Sequence, residues 1–522
     1  MGAVWLLFDS SLISLPLGEV LPWGKNSLPE TASPAEAQAR PTGDRAFAEG
    51  LRSESPEGSA PAPAPARESV GVREVDVLIY GTTTAGIGAV RALQLAEEGL
   101  GRHLRVAIVS GEHLLESPLA QGLSVEDRYG KQGMSGFYGE FRKKVIATYE
   151  AQGLHPVLDG RIRYEPEVAR EVLLSFIEGH PDVEWLSGEL RAAEGADGQG
   201  PRYAVLEEPD GNVVRINTEY FVDASPEGDL GRLLGASYML GKGDELYNQR
   251  TGPHPAPPSP ENEFVTAPQR FSFLLTLQVY EDEAPSLANF EHDWYSKSTY
   301  GPSFEFADHH REGFATSWTL RHVLPHGKRE LNEMWSDYPG PRASFDWVLF
   351  PEKRPELREV MLSYVLDKMR YLQEHGYPEI GVVNIPSRPY VRDGVRFRGL
   401  DFYTGADIDG EVVDQPVAHG VYARYDRHDL SLGSLQDSEA AEVFVPMGAL
   451  LPREHPYLVV PTAISADESA ICSAVRMEPV RANLGGAAGV MVAAAAAEGI
   501  DLHQLEYETV REELERQDYE LN

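Results

Sequence analysis

"YGTTTAGIGAV", residues 80–90, is the stretch whose reading decides this fold. The apolar run "EVDVLIY" leads into it and the helix-like "RALQLAEEGL" leaves it, so strand, glycine turn and helix follow one another. In a G-x-G-x-x-G turn the first glycine permits the bend, the second lets backbone approach a pyrophosphate, and the third allows close helix–strand packing. Gly81 and Gly86 hold the first and third places, while Thr83 stands in the second. Threonine adds bulk there, yet its hydroxyl can donate to a phosphate, and the first amides of the helix still face an anion. Gly81, Thr82, Thr83, Thr84, Ala85 and Gly86 are therefore candidate nucleotide-binding residues. A plain strand–turn–helix with tolerated small residues is the competing reading.

Outward from this turn, "RVAIVS" at 105–110 supplies a second strand and completes a βαβ unit. The acid that usually accepts from ribose hydroxyls at the end of that strand is here Ser110, with Glu112 two residues on, so the contact is weaker or rebuilt. "EPEVAREVLLSFIEGH" reads as an amphipathic helix between Pro166 and Gly179, leading into a strand "VEWLSGELRAAE". A hairpin turned at Asp210-Gly211 follows, and "YFVDAS" returns toward the core. From 241 to 440 aromatics, prolines and short strands such as "FSFLLTLQVY" describe an inserted, substrate-facing domain. "LGGAAGVMVAAAAAEG", 484–499, opens with two glycines and continues as an alanine-rich helix able to approach a neighbour closely.

Composition narrows the partners. The chain has 522 residues, 82 acidic against 46 basic, for a formal charge of -36, which repels phosphate backbones and anionic lipid and argues against nucleic acid. Its single cysteine, Cys472, excludes an intrachain disulfide and any multi-cysteine metal or iron–sulfur site, so redox chemistry needs a borrowed electron carrier. Residues 25–72, with "SAPAPAPARES", hold too few large apolar groups to offset chain entropy and are expected to be a disordered leader. "MGAVWLLFDSSLISLPLG" lacks a positive n-region and is interrupted by Asp9; no later run has the ~20 continuous apolar residues of a membrane span. This reads as a soluble cytoplasmic protein, with a secreted or periplasmic one as the alternative.

Three further stretches occur in order after the turn: "VDASPEGDLGRLLGASYMLGKGDELYNQRTG" at 222–252, "DRHD" at 426–429 and "SAVRMEPVRANLGGAAGVMVAAAAAEG" at 473–499. Together with the turn they resemble a family of FAD-dependent oxidoreductases with a glutathione-reductase-like flavin fold, some of them described as xanthan lyase-like. The resemblance spans roughly 74–517. It implies that Asp223, Ala224, Ser225, Glu227, Gly228, Asp229 and Leu230 match a "D-A-T-x-E-G-D-L" stretch beneath the adenine half of FAD, with Ala224 and Ser225 touching the cofactor. It also implies that Leu484, Gly485 and Gly486 belong to a helix start facing the flavin, whose dipole would stabilise a reduced ring. Two family features are altered: "RPYVR" at 388–392 stands for "R-E-x-R-R", and Val460, Pro461 and Thr462 stand for "A-G-R".

Oxidation of a C–H bond with a flavin needs a base for the departing proton, and histidine suits that role near neutral pH. The family-like "D-x-H" element nominates His428 as that base and Asp426 as its orienting partner. Arg388 and Arg392 are candidate clamps for a carboxylate or sugar oxygen, and Arg476 a candidate flavin neighbour. His309 and His310 diverge as sequence neighbours and have no third ligand, so no metal is expected.

The expected fold is α/β: a Rossmann-like, three-layer FAD-binding fold with an inserted α+β substrate domain and a disordered N-terminal leader. The expected divisions are leader 1–73, first FAD-binding part 74–240, substrate domain 241–440 and second FAD-binding part 441–522. The expected activity is FAD-dependent hydride abstraction from a small organic substrate, a carbohydrate or hydroxylated metabolite, with an unidentified electron acceptor. A flavin-fold scaffold that has lost catalysis, and a nicotinamide-linked enzyme without flavin, are the alternatives.

Overall fold

A computed structural model describes residues 7–8, 11–12, 71–111, 114–127, 134–241, 267–287, 300, 308–315, 317–332, 336–408, 413–428 and 435–521. In the N-terminal unit, Met1–Pro65, Leu7–Phe8 pairs antiparallel with Ser11–Leu12. Apart from these four residues, the leader expected at 1–73 lies outside the described residues as far as residue 70, and its last three residues, 71–73, are instead strand.

The second unit, Ala66–Asn522, begins with β1 (Gly71–Glu74), β2 (Val77–Tyr80), α1 (Thr84–Leu100) and β3 (Val106–Ser110). Next come α2 (Gly136–Glu150), α3 (Pro166–Leu174), β4 (Val183–Ser187), β5 (Glu189–Glu194), β6 (Tyr203–Glu207), β7 (Val213–Asn217) and β8 (Tyr220–Asp223). The middle of the chain carries β9 (Thr276–Val279), β10 (Lys328–Glu330), α4 (Arg354–Glu374) and β11 (Ile380–Asn384). It ends with β12 (Pro416–Arg427), β13 (Leu435–Pro446), β14 (Leu458–Val459), α5 (Glu478–Glu498) and α6 (Tyr507–Arg516).

The central sheet is parallel throughout, in the order β14-β8-β2-β3-β4. Its inner strands β8, β2 and β3 are buried on both faces because both faces are covered. Val77, Ile79, Val106, Ile108 and Val222 point into one core shared with α1, α2 and α5. Leu78, Ala107, Val109 and Phe221 point into the other, shared with β5, β6 and β7 of a four-stranded sheet ordered β1-β7-β6-β5. Helices, parallel sheet and second sheet are the three layers of the expected α/β fold. The expected single strand "VEWLSGELRAAE" is instead two: Gly188, at φ +145, turns the chain from β4 in one sheet to β5 in the other.

Helix α5 corrects a second expectation. It starts at Glu478, with Pro479 in its first turn, so Leu484, Gly485 and Gly486 lie about two turns inside it rather than at its start. Their smallness serves helix packing. A Cβ on Gly485 would fall 2.0 Å from the Ala85 carbonyl oxygen on α1, and one on Gly486 would meet the Tyr519 hydroxyl. The same helix is long and apolar enough to cross a membrane, a property missed when only continuous apolar runs are sought, but it lies almost wholly buried in this core.

Residues between β8 and β14 add a three-stranded antiparallel sheet, β10-β9-β11, and a long hairpin, β12–β13, that packs on α5. The boundary expected at 440/441 falls inside β13, and the one expected at 73/74 falls at the end of β1.

Candidate functional site

The turn between β2 and α1 has no room for a side chain at its first position. Gly81 adopts φ +106, and a Cβ there would lie 2.7 Å from the Ala224 carbonyl oxygen at the end of β8. Thr83 is the N-cap of α1: its hydroxyl accepts from the Gly86 amide at 3.2 Å and donates to the Ala224 carbonyl at 2.8 Å. The hydroxyl expected to donate to a phosphate is thus committed to the helix start and to β8, a cap of the ordinary kind. The Thr82 amide donates to the Glu116 carboxylate at 3.0 Å. The Thr84 hydroxyl bonds Ser117 Oγ at 2.6 Å and donates to the carboxylate of Glu478, the first residue of α5. Ser110 accepts from the Trp185 indole at 2.9 Å, and Glu112 lies outside the described residues.

Glu116 is one end of a partly buried ion chain. Arg388 donates to Glu116 at 2.6 Å and also to Glu227, whose carboxylate accepts from the Trp347 indole at 2.7 Å. Burial raises the Glu116 carboxyl above its usual range, with Arg388 opposing. Glu478 is likewise pushed up by burial, against Arg481. Next to this chain, Asp229 is held below its usual range: burial alone would raise it, but the two-pronged Arg354 (2.6 and 2.8 Å) and Arg232 overcome that. Asp223, at the foot of the same corner, accepts from Ser225 and from the Gly231 amide and is raised to about 7 by burial.

Three cavities adjoin here. The first, about 340 Å³, is walled by Thr83, Ala85, Glu116, Arg388, Thr462 and Glu478, among others. The second, about 300 Å³, shares Thr462 and Arg481 with it and adds Asp393, Arg396, Arg476 and Leu484. The third, about 210 Å³, shares Glu116 and Arg388 with the first and adds Leu274 and Tyr390. Thr462 ties this region to β8, donating to the Ser225 carbonyl at 2.7 Å. Arg396 and Arg476, on the second cavity's wall, carry buried N–H groups with no hydrogen-bond partner among the described residues, and the Asp393 Oδ2 acceptor there has none among them either.

His428 follows β12 directly. Its Nδ1 bonds Asp337 Oδ2 at 2.5 Å, which makes Nδ1 the protonated nitrogen and leaves Nε2 a lone pair. Asp426 Oδ1 stands 3.9 Å from Nε2 and is itself paired with Arg476. Asp426 is therefore not the group that orients the imidazole through Nδ1, because it stands only near Nε2 and is engaged by Arg476. Asp337, also in an ion pair with Arg392 at 2.9 Å, does that. Burial and Arg392 lower the His428 pKa from the ordinary value, against Asp337. Asp127, in the field of Arg476, Arg161 and Asp426, is raised to about 6, chiefly by burial.

The fold thus brings Gly81–Gly86, Ala224, Ser225, Arg388 and Leu484 around one set of cavities. Gly485 and Gly486 back that region as helix contacts, and Ser110 is turned to Trp185. Asp426 pairs with Arg476, which lines the second cavity, and His428 Nε2 stands 3.9 Å from Asp426. Asp337, Glu116 and Glu478 were missed. Each sits in an unremarkable stretch, "WSDYP", "LLESP" and "RMEPV", and becomes notable only through partners 91, 34 and 394 residues away.

Comparison with known proteins follows the same line. A family model described as FAD dependent oxidoreductase matches residues 76–514. No curated protein matches. Among solved structures, L-proline dehydrogenase from P.horikoshii is 14% identical with a TM-score of 0.19, over 34% of this chain and 25% of that one. A flavoprotein/dehydrogenase from Cytophaga hutchinsonii is 16% identical, TM-score 0.22, over 32% and 42%. OxyS anhydrotetracycline hydroxylase from Streptomyces rimosus is 15% identical, TM-score 0.23, over 40% and 38%. The chain covers a quarter to under half of the length of these three. The family match extends over most of the sequence: the chain belongs to the FAD dependent oxidoreductase family, and FAD is its cofactor.

Proposed function

We propose that this enzyme oxidises a small organic substrate, a carbohydrate or hydroxylated metabolite, by removing hydride from carbon and the proton from the adjoining hydroxyl, an external electron acceptor closing the cycle. The observation that carries this reading is His428, a buried imidazole with Nδ1 tied to Asp337 and a lowered pKa. A neutral imidazole at pH 7 is a competent base.

The residues present fit FAD. The buried N–H groups of Arg396 and Arg476 that find no acceptor among the described residues call for an acceptor-rich ligand. The first amides of α1, at Thr84 and Ala85, have no partner within the helix and favour an anion. Thr83, Thr84 and Ala85 would hold the phosphates, Ala224 and Ser225 the neighbouring ribose end, and Leu484, Arg476 and Arg481 the far end. Gly81 and Gly86 shape the turn, the Thr82 amide would add a further donor for the phosphates, and Gly485 and Gly486 let α5 approach. When bound, FAD supplies the two-electron acceptor. His428 takes the hydroxyl proton at Nε2, and Asp426 stabilises the imidazolium that forms while holding Arg476 at the cavity wall. Arg388 offers a cation to a substrate carboxylate or sugar oxygen.

The test is the visible spectrum of the purified full chain before and after FAD is added, followed by a dye-linked screen of carbohydrates and hydroxylated compounds. Flavin bands near one per chain, bleached by one substrate class, are expected. A folded protein that takes up no FAD overturns the reading.

A further inference from the structure

The dinucleotide turn is already in contact with an anion of the protein itself. Glu116 accepts from the Thr82 amide, at the place where the turn would meet a pyrophosphate, and Arg388 holds it there at 2.6 Å. Thr82 fixes the segment further, its carbonyl and hydroxyl both accepting from the Glu116 amide at 3.2 Å. The adjoining first cavity is walled by Thr83 and Ala85 of the turn region together with Glu116 and Arg388, so the ion pair and the turn share one space. Glu116 and Arg388 both stand on its wall and on that of the third cavity, so the pair lies between the two spaces.

We infer that the Glu116 carboxylate is a built-in placeholder for the cofactor's phosphate: it occupies the Thr82 amide when the site is closed, and FAD must displace it, opening the Glu116–Arg388 pair to enter. The inference rests on the flavin reading above. An anion leaving the turn removes a like charge from the incoming pyrophosphate and returns the Thr82 donor to it. Arg388 keeps Glu227 as its partner after Glu116 departs, so opening leaves no unpaired guanidinium. Like charge a few ångströms from a phosphate in a partly buried site is a strong penalty. The placeholder therefore sets cofactor affinity.

The experiment measures binding of FAD, ADP and riboflavin to the full chain by fluorescence and calorimetry, comparing wild type with Glu116→Gln. Glutamine keeps an acceptor for Thr82 and loses the charge. The expected result is a gain of about tenfold or more for FAD and for ADP, both of which carry the pyrophosphate, with riboflavin unchanged. Glu116→Ala, which removes both the carboxylate and its pairing with Arg388, should shift FAD affinity in the same direction and serves if the glutamine variant does not fold. Equal FAD affinity in wild type and variants overturns the placeholder while leaving the flavin reading standing. A gain shared equally by riboflavin also overturns it, since it would reflect space alone. Folded wild type and variants that bind no FAD overturn both.

Discussion

Asp337 and His428, 91 residues apart in sequence, meet at 2.5 Å between Oδ2 and Nδ1, and Arg392 closes on the same carboxylate at 2.9 Å. The imidazole is thereby held in one tautomer between an anion that stabilises its charged form and a cation that opposes it. The carboxylate is the stronger handle on orientation. The net direction of the pKa, downward, comes from burial first and Arg392 second.

Replacing His428 by Asn should reduce turnover by about 10²–10⁴-fold, the range for loss of a general base. The base works when neutral, so wild-type kcat/KM should stay level down to below the ordinary histidine pKa and then fall as pH drops. Asp337→Asn removes the group that raises the His428 pKa, so the acid limb should move to still lower pH. That variant also leaves Arg392 without its buried partner, at a cost of about 3–5 kcal/mol. A pH–rate profile with a denaturation curve separates the two effects.

Glu330 is a second titratable device. Its Oε2 accepts from the amides of Ser124 and Val125 at 2.6 and 2.7 Å, and burial, reinforced by Asp127, raises its pKa to about 8. With a folded pKa above the unfolded one, the native state keeps a proton that the unfolded chain has already released. Stability should therefore be greatest below about pH 4 to 5 on this account, fall as pH rises, and level off above about pH 8. Asp127 and Asp223, raised to about 6 and about 7, act in the same sense. Glu330→Gln keeps an acceptor for both amides, so its urea midpoint should change less between pH 5 and 8 than the wild type's. An unchanged slope would show that the proton is not held there.

Gly485→Ala tests the helix pair. The added methyl would fall 2.0 Å from the Ala85 carbonyl oxygen, which is backbone and unable to swing aside. Overpacking of this kind costs about 1–3 kcal/mol or more. The measurement is the urea midpoint, and a wild-type value would mean that α1 and α5 stand further apart.

The βαβ unit was legible from a few residues. "VLIY" and "VAIV" are apolar at every position, which only a strand covered on both faces requires, and Gly81 and Gly86 mark a turn no bulkier residue could make. The Asp210-Gly211 hairpin was equally readable, since turn chemistry is local. The break at Gly188 was not: a glycine inside an apolar strand is compatible with continuation, and which sheet receives β5 is settled by packing.

The three family motifs, in order, were likewise in the sequence, and with them the family and its cofactor. What side chains do within those motifs was decided elsewhere. Thr83 is a helix cap because Ala224 lies opposite it, the "LGGAAG" stretch is a packing seam because α5 begins earlier at Glu478, and Arg388 is bound because Glu116 and Glu227 converge on it. Backbone preference and apolar periodicity act over neighbouring residues and can be read along the chain. The partner of a buried charge is fixed by whichever distant residue the fold delivers within about 3 Å, and for His428 that residue is Asp337, not the nearby Asp426.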